Sequence, residues 1–223
     1  MERKIITTLD GSTTIHLPEW DEQYHSKNGA IQEAYHVFIE MGFFYFLNKF
    51  QPKEVNILEI GFGTGLNAFI TLLETQKRNV STFYTGIEAY PVEGSEIKQL
   101  NYHQQLKVAE EDFLILHSSP WGKTLKQNSN FKLLKRKMFF SEINDTNQYD
   151  IIYFDAFGAR VQPELWTEEI FQRMYDALKV NGVLVTYSAK GSVRRAMQAV
   201  GFKVERLPGP PGKREMLRAT KVD

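Results

Sequence analysis

Two alternating patterns constrain this chain more than any other feature. Short apolar runs exchange regularly with segments whose apolar residues recur at helical spacing. "VNILEIG" reads as a strand and "LNAFITLLETQ" as a helix, then "TFYTGIEAY" as a strand and "GSEIKQLNYHQQ" as a helix. "KMFFSEI" and "DIIYFDAF" read as two more strands, and "PELWTEEIFQRMYDALKVNG" as a helix closed by Asn-Gly. "VLVTYS" is a strand, "GSVRRAMQAVG" a helix stopped by Gly201, and "FKVERL" and "EMLRAT" a closing strand pair around "PGPPGKR". Strands without polar alternation, joined through helices, predict a mostly parallel sheet covered on both faces. Ligands of such sheets bind beyond the carboxyl ends of the strands, near the switch point. The residues that follow each strand are therefore the functional candidates. Residues 102–131 show neither period, and no element is assigned there.

The 223 residues suit one globular unit. Residues 53–223 are expected to form it, with 1–52 an extension packed on it. That extension begins with short β-like pieces such as "TTIHL". A helix is predicted over 30–48, with Ala30, Ala34, Val37, Phe38, Met41, Phe44 and Tyr45 on its apolar face and Pro52 ending it. The stretch "VFIEMGFFYFL" is interrupted by Glu40 and too short to span a bilayer, and no secretion signal leads the chain. A soluble, cytoplasmic protein with no membrane partner is expected. Cysteine is absent, which excludes disulfides, thiolate zinc sites and thiol nucleophiles.

The net charge is zero, but cations cluster. Lys123, Lys126, Lys132, Lys135, Arg136 and Lys137 lie between Pro120 and Phe140 with no acid among them. From Ala189 to Val222 nine cations face two acids, Glu205 and Glu215. Such asymmetry permits a local basic face on a neutral protein.

At the first strand end stands "LEIGFGTGLN", with Glu59, Gly61, Gly63, Gly65 and Asn67. Closely spaced glycines let backbone approach a ligand and turn tightly into a helix. Leu66 stands where the dinucleotide pattern would place its last glycine, and no Lys-Ser/Thr follows to make a P-loop. The loop matches the acid-x-Gly-x-Gly-x-Gly pattern of S-adenosylmethionine (SAM) methyltransferases. Glu88 ends the second strand, where an acid can accept two ribose hydroxyls. Glu142 follows the third predicted strand, where an acid could accept an adenine amine; Asp145 competes for that role. Asp155 follows the fourth, in "IIYFDAFGARVQPELW". No His cluster accompanies it, so a metal ligand is not expected. A base, a substrate anchor and a turn former remain open.

"LEIGFGTGLNAF", "YFDAFGARVQPELWTEEIF" and "GKREML" together resemble the bacterial tRNA 5-methylaminomethyl-2-thiouridine methyltransferases. The opening "DGSTTIHLPEWDEQYHSKNGAIQEAYHVFIE" resembles that family too, and the likeness runs from about Leu9 to Thr220. It implies a Rossmann-like class I SAM methyltransferase fold: a mostly parallel seven-stranded sheet with a C-terminal antiparallel strand, plus the small N-terminal β/helical extension. It implies the stand-alone form of the enzyme, without the flavin oxidoreductase half of the bifunctional form. The implied reaction moves a methyl group from SAM to the primary amine of a 5-aminomethyl-uridine at the wobble position, without metal or flavin. The implied partners are the anticodon region of tRNA and, functionally, the enzymes that install the aminomethyl group.

By the resemblance Glu59, Gly61, Gly63, Gly65 and Asn67 hold the methionine end of SAM, Glu88 the ribose, and Glu142 stands where the family commonly carries an Asp near adenine. Ser141 also departs from the family's usual Gly. Asp155 is the catalytic candidate, first as a positioner of the amine and second as a base. Phe157 and Trp166 are expected to wall the nucleobase pocket, and Lys190, Arg194, Lys213 and Arg214 to meet RNA phosphates. Two rivals stand beside this reading. One is a polyamine (aminopropyl) synthase, whose later acid stands in a different setting from "DAFG". The other is a non-catalytic SAM-fold binding protein.

Overall fold

The computed structural model describes residues 2–222. Its main sheet has eight strands: β4 (Glu54–Ile60), β5 (Ser81–Glu88), β6 (Thr124–Lys126), β7 (Phe131–Lys137), β8 (Tyr149–Phe154), β9 (Leu178–Thr186), β10 (Lys203–Pro208) and β11 (Glu215–Thr220). Their order is β10-β11-β9-β8-β4-β5-β7-β6. The central five, β7, β5, β4, β8 and β9, run parallel. β11 inserts antiparallel between β9 and β10, as the Rossmann-like expectation requires. The eighth strand, β6, was not expected; it pairs antiparallel with the outer edge of β7. The chain runs outward from β4 in one direction through β5 and in the other through β8. The switch point therefore lies between the ends of β4 and β8.

Helices cover both faces. One carries the helix over 30–50, α3 (Leu66–Arg78), and the short α5 (Tyr102–Leu106) and α6 (Glu110–Ser118); the other carries α7 (Glu168–Ala177) and α8 (Gly191–Ala199). The first helix starts as α1 (Ala30–Ala34), passes through π-helical turns at Tyr35–Phe44 and ends as α2 (Tyr45–Phe50). The wider i→i+5 turn shifts its buried face. Ile39, Gly42 and Phe43 are buried, whereas Met41, Phe44 and Tyr45 sit half-buried at the edge. At Gly42 the helix lies so close to the sheet that a Cβ would stand 2.9 Å from Val185 Cγ2.

Several boundaries differ from the sequence reading, each for a local reason. The third parallel strand is Phe131–Lys137, not 137–143, because Lys135 turns inward and is buried. Its Nζ donates to His117 O at 3.1 Å and lies 5.3 Å from the Trp121 ring centroid. What reads as a charge run is thus a strand with a lysine on its inner face. The helix predicted over "GSEIKQLNYHQQ" is broken into α4 (Gly94–Ile97) and α5. Between them the Asn101 side chain is held by the N-terminal segment, donating to Gly11 O and accepting from Thr13 N. "PELWTEEIFQRMYDALKVNG" is a 3-10 turn (Pro163–Trp166) followed by α7, which ends at Ala177. Its last carbonyls, those of Asp176 and Ala177, accept from Asn147 N and Gln148 N on the way into β8. Asn181, at φ 64°, turns the start of β9 instead of capping a helix.

A three-stranded sheet, β1 (Lys4–Thr7), β2 (Thr13–Leu17) and β3 (Glu22–Gln23), precedes the first helix. It crosses the carboxyl ends of the main sheet. The Arg3 guanidinium bonds Tyr90 O, Pro91 O and Glu96 on one side, and Arg160 bonds Trp20 O and Asp21 O on the other.

Gly42→Val should destabilise the fold by about 1–3 kcal/mol through overpacking against Val185. A lower urea midpoint with an unchanged slope would show it.

Candidate active site

The loop after β4 is tied down from two sides. Gly61 N and Phe62 N both donate to Ile87 O of β5, at 3.1 and 2.9 Å. Asp155 N donates to Ile60 O at 2.9 Å. A Cβ on Gly61, at φ 87°, would stand 2.7 Å from Asp155 O, so only glycine lets the ends of β4 and β8 approach this closely. Phe62 lies directly over Gly86 of β5, with no room for a side chain there.

Three side chains join across this switch point. The Asn67 amide, in the first turn of α3, donates to Glu59 Oε1 and to Asp155 Oδ2, both at 2.9 Å. Glu59 is 1% exposed. Burial first, and the Asp155 charge second, push its carboxyl well above the usual range. Asp155 is pushed up to about 7, by burial and by the Glu33 carboxylate, against the opposing pull of Asn67 and Lys213.

These residues line one cavity of about 1330 Å³, larger than a typical single-ligand pocket and roomy enough for a donor and an acceptor together. Glu59, Gly61, Gly63, Asn67, Glu88, Asp155, Phe157 and Lys213 all face it. Gly65 does not; it caps α3 in the left-handed region, at φ 74°. Glu88 accepts Gly63 N at 3.0 Å and Tyr90 N at 2.9 Å, one on each oxygen. Each oxygen keeps a second lone pair for a hydroxyl donor. Glu59 Oε2 and Asn67 Oδ1 are buried on the cavity side without a partner. The glycine cradle, the acceptor pair on Glu88 and these two unpaired oxygens suit a polar cofactor with an amino-acid end and a ribose.

Three expectations are corrected. Glu142 is exposed and accepts Phe139 N at 2.6 Å, capping its own turn. The wall at the end of β7 is built from Lys137, Phe139, Phe140 and Ser141 instead. Trp166 is buried among Phe154, Phe171 and Tyr187, with Nε1 donating to Phe157 O, so its ring belongs to the core beneath the site. Lys213 points into the cavity, where its Nζ pairs with Glu33. Arg214 and Lys190 line a separate shallow depression of about 450 Å³ beside it, together with Lys213; Arg194 lies apart on α8.

The N-terminal segment supplies residues that sequence reasoning did not single out. Tyr24 and Trp20 each pack edge-on against Phe157, at 4.9 and 5.8 Å, so the aromatic wall comes from residues flanking β3. His25 bridges Thr14 and Thr64, and burial lowers it to about 4, leaving a neutral ring. Glu33, Arg3 and, from beyond β9, Tyr187 also line the cavity. For Tyr24, His25 and Glu33 the one sequence signal was the likeness of "DEQYHSKNGAIQEA" to the opening segment of the resembled family.

Comparison with known proteins agrees with this geometry. A family model described as S-adenosyl-L-methionine-dependent methyltransferase matches residues 122–222. The crystal structure of MNMC2 from Aquifex aeolicus superposes at a TM-score of 0.80, with 24% identity, over 100% of this chain and 71% of that one. The chain has the fold of SAM-dependent methyltransferases. Spermidine synthase from Thermotoga maritima shares that fold at a TM-score of 0.59 and 18% identity, over 99% of this chain and 69% of that one. By sequence the chain resembles the tRNA 5-methylaminomethyl-2-thiouridine biosynthesis bifunctional proteins MnmC. It is 27% identical to that of Actinobacillus pleuropneumoniae over 222 residues and 28% identical to that of Leptospira borgpetersenii over 214, covering 89% of this chain in both. It spans about a third of the length of these relatives, 32% in each case.

The Asp155 shift has a consequence for stability. The unfolded chain releases this proton near pH 4 and the folded chain near 7. Across that window the folded state binds more protons, so stability falls as pH rises. Asp155→Asn should flatten this loss, and Glu59, shifted in the same direction, should leave a residual slope. Urea midpoints from pH 4 to 8 measure it.

Proposed function

We propose that this chain is a SAM-dependent methyltransferase that N-methylates the 5-aminomethyl group of the wobble uridine in tRNA, giving 5-methylaminomethyl-2-thiouridine. The observation that carries the reading is the position of Asp155. It stands at the switch point, in the same cavity as the glycine loop and Glu88, with Oδ2 held by Asn67.

SAM supplies an electrophilic methyl group when bound. In this reading Gly61, Gly63 and Asn67 line its amino-acid end and Glu88 takes the ribose hydroxyls. The chain must then present an amine with a free lone pair. Asp155 Oδ2 is anchored by Asn67, and Oδ1 carries no hydrogen bond from the described residues. Oδ1 is therefore the atom that aims the amine and accepts the proton the nitrogen gives up. A carboxyl shifted to about 7 accepts and returns a proton near neutral pH better than one at 4. Phe157, Trp20 and Tyr24 offer aromatic edges and faces to the extruded uracil. Holding amine and methyl carbon in near-attack geometry contributes up to roughly 7–11 kcal/mol in the best intramolecular cases.

The proposed partner is the anticodon region of tRNA, with Lys190 and Arg214 beside the cavity mouth and Arg194 on the adjoining helix as phosphate contacts. The substrate amine comes from enzymes that install the aminomethyl group, and the transfer draws on neither metal nor flavin. Among the described residues no helix is long and apolar enough to cross a membrane, and a tRNA-modifying role belongs in the cytoplasm.

Purified protein with SAM and tRNA bearing 5-aminomethyl-uridine should add one methyl group, read by nucleoside mass spectrometry. An unchanged nucleoside profile overturns the substrate assignment. Asp155→Asn should keep SAM affinity within about threefold and lose on the order of 10²-fold in turnover. Lys190→Ala with Arg214→Ala should raise the tRNA concentration needed and flatten its salt dependence by about one unit of slope per lost contact.

A further inference from the structure

Lys213 stands in the turn between β10 and β11, and this turn is clamped onto the N-terminal segment. Gly212 lies against the Asn28 amide, and His36 Nε2 lies 2.8 Å from Pro208 O. Lys213 Nζ pairs with Glu33 and sits 4.0 Å from the centroid of the Tyr187 ring. The other Glu33 oxygen accepts Ser26 N at 2.8 Å. The Tyr187 hydroxyl donates to Ala156 O at 2.8 Å, one residue beyond Asp155. Glu33, Lys213, Tyr187 and Asp155 all line the same cavity, and Glu33 and Lys213 both act on the Asp155 charge.

An ion pair sunk into a cavity wall is weak evidence for stability, because desolvation offsets most of its attraction. Its surroundings point elsewhere. The titratable groups around Asp155 and the pair are Glu59 and Tyr84 from the sheet, Tyr102 from α5, Tyr187 after β9 and His25 from the N-terminal segment, with Asp10, bonded by Thr8 and Ser12, acting on His25 and Glu22, paired with Arg160, acting on Tyr187. Burial favours the uncharged form of Glu59 and of the three tyrosines, and lowers His25 to about 4, leaving a neutral ring. Glu33 and Lys213 are ion-paired with each other in the cavity lining.

We propose that Lys213 and Glu33 are a charge-setting pair for the transfer: Lys213 cancels Glu33, so that Asp155 alone presents negative charge to the incoming amine. The pair rests on the methyltransfer reading above and deepens it. Two unneutralised carboxylates would hold the amine as ammonium, which has no lone pair to attack with. Lys213 keeps the amine's affinity for its proton low enough for turnover near neutral pH. Both are positioning residues, since they act through Asp155 and the substrate charge. Lys213 is thereby removed from the phosphate-contacting set.

The test uses the full chain in two readouts. The first is the pH profile of methyl transfer to 5-aminomethyl-uridine tRNA. Lys213→Met should move the rising limb of kcat/KM to higher pH by about one unit, and Glu33→Gln should move it lower. The double variant should return close to wild type, and Lys213→Arg should keep the wild-type limb. The second readout needs no activity: a 13C NMR titration of the Asp155 carboxyl, assigned with Asp155→Asn, should shift in the same directions. Superimposable profiles and titrations across all variants overturn the proposal. A Lys213→Met variant that only raises KM for tRNA, with an unshifted limb, returns Lys213 to the RNA surface. Single variants that shift the same way and add in the double reduce the pair to a structural clamp. If wild type transfers no methyl to tRNA, the function reading falls, and the Asp155 titration still decides the charge-setting role.

Discussion

One side-chain amide joins the two halves of the site. Asn67 donates one proton to Glu59 at the end of β4 and the other to Asp155 at the end of β8. These strands flank the switch point, where the chain leaves the sheet in opposite directions. Two carboxyls at this distance from one donor cannot both ionise cheaply in a buried setting. The molecule resolves the conflict by depth. Glu59, fully buried, is pushed well above the usual carboxyl range; Asp155, nearer the cavity, is pushed up to about 7. A different residue at position 67 would change the protonation of both acids and the register of the loop between them.

The rest of the site is arranged to leave that balance undisturbed. His25 and His117 are buried next to the glycine loop and held neutral, the second lowered to about 3 by burial and by Lys135. Lys135, itself lowered to about 8 by burial, lies beneath the loop with its ammonium on a backbone carbonyl and near aromatic rings. Among the charged side chains that line the cavity are Glu88 beside the glycine loop and, near the end of β8, Asp155 with the Lys213–Glu33 pair. The N-terminal sheet and the β10–β11 turn close over both, so the part of the chain farthest from the glycine loop in sequence helps to set its electrostatics.

Much of the fold was legible because it depends on local chemistry. Apolar runs, helical spacing and glycine stops located four of the five parallel strands and the closing hairpin, and the topology followed from their alternation. The failures share one cause. Where a tertiary partner satisfies a group that looks solvent-bound, the local pattern misleads. Lys135 reads as part of a basic surface until His117 O and Trp121 are seen around it. Asn101 reads as mid-helix until Thr13 and Gly11 claim its side chain. The Asn-Gly at 181–182 reads as a helix stop, but the helix had already ended where Asn147 and Gln148 took its carbonyls.

The same division runs through the site. By itself the sequence determined the glycine loop, Glu59, Glu88 and Asp155, because a residue at a strand end needs only the strand to be placed. The tertiary structure alone decided which neighbours reach that spot. It turned Trp166 inward, because a core gap beside Phe154 accepts an indole whose N–H can reach Phe157 O. It occupied Glu142 with its own backbone cap. It carried Lys213 across the molecule to Glu33, 180 residues away in the chain, a pairing that no local pattern encodes because it exists only once both ends of the chain have folded over the sheet.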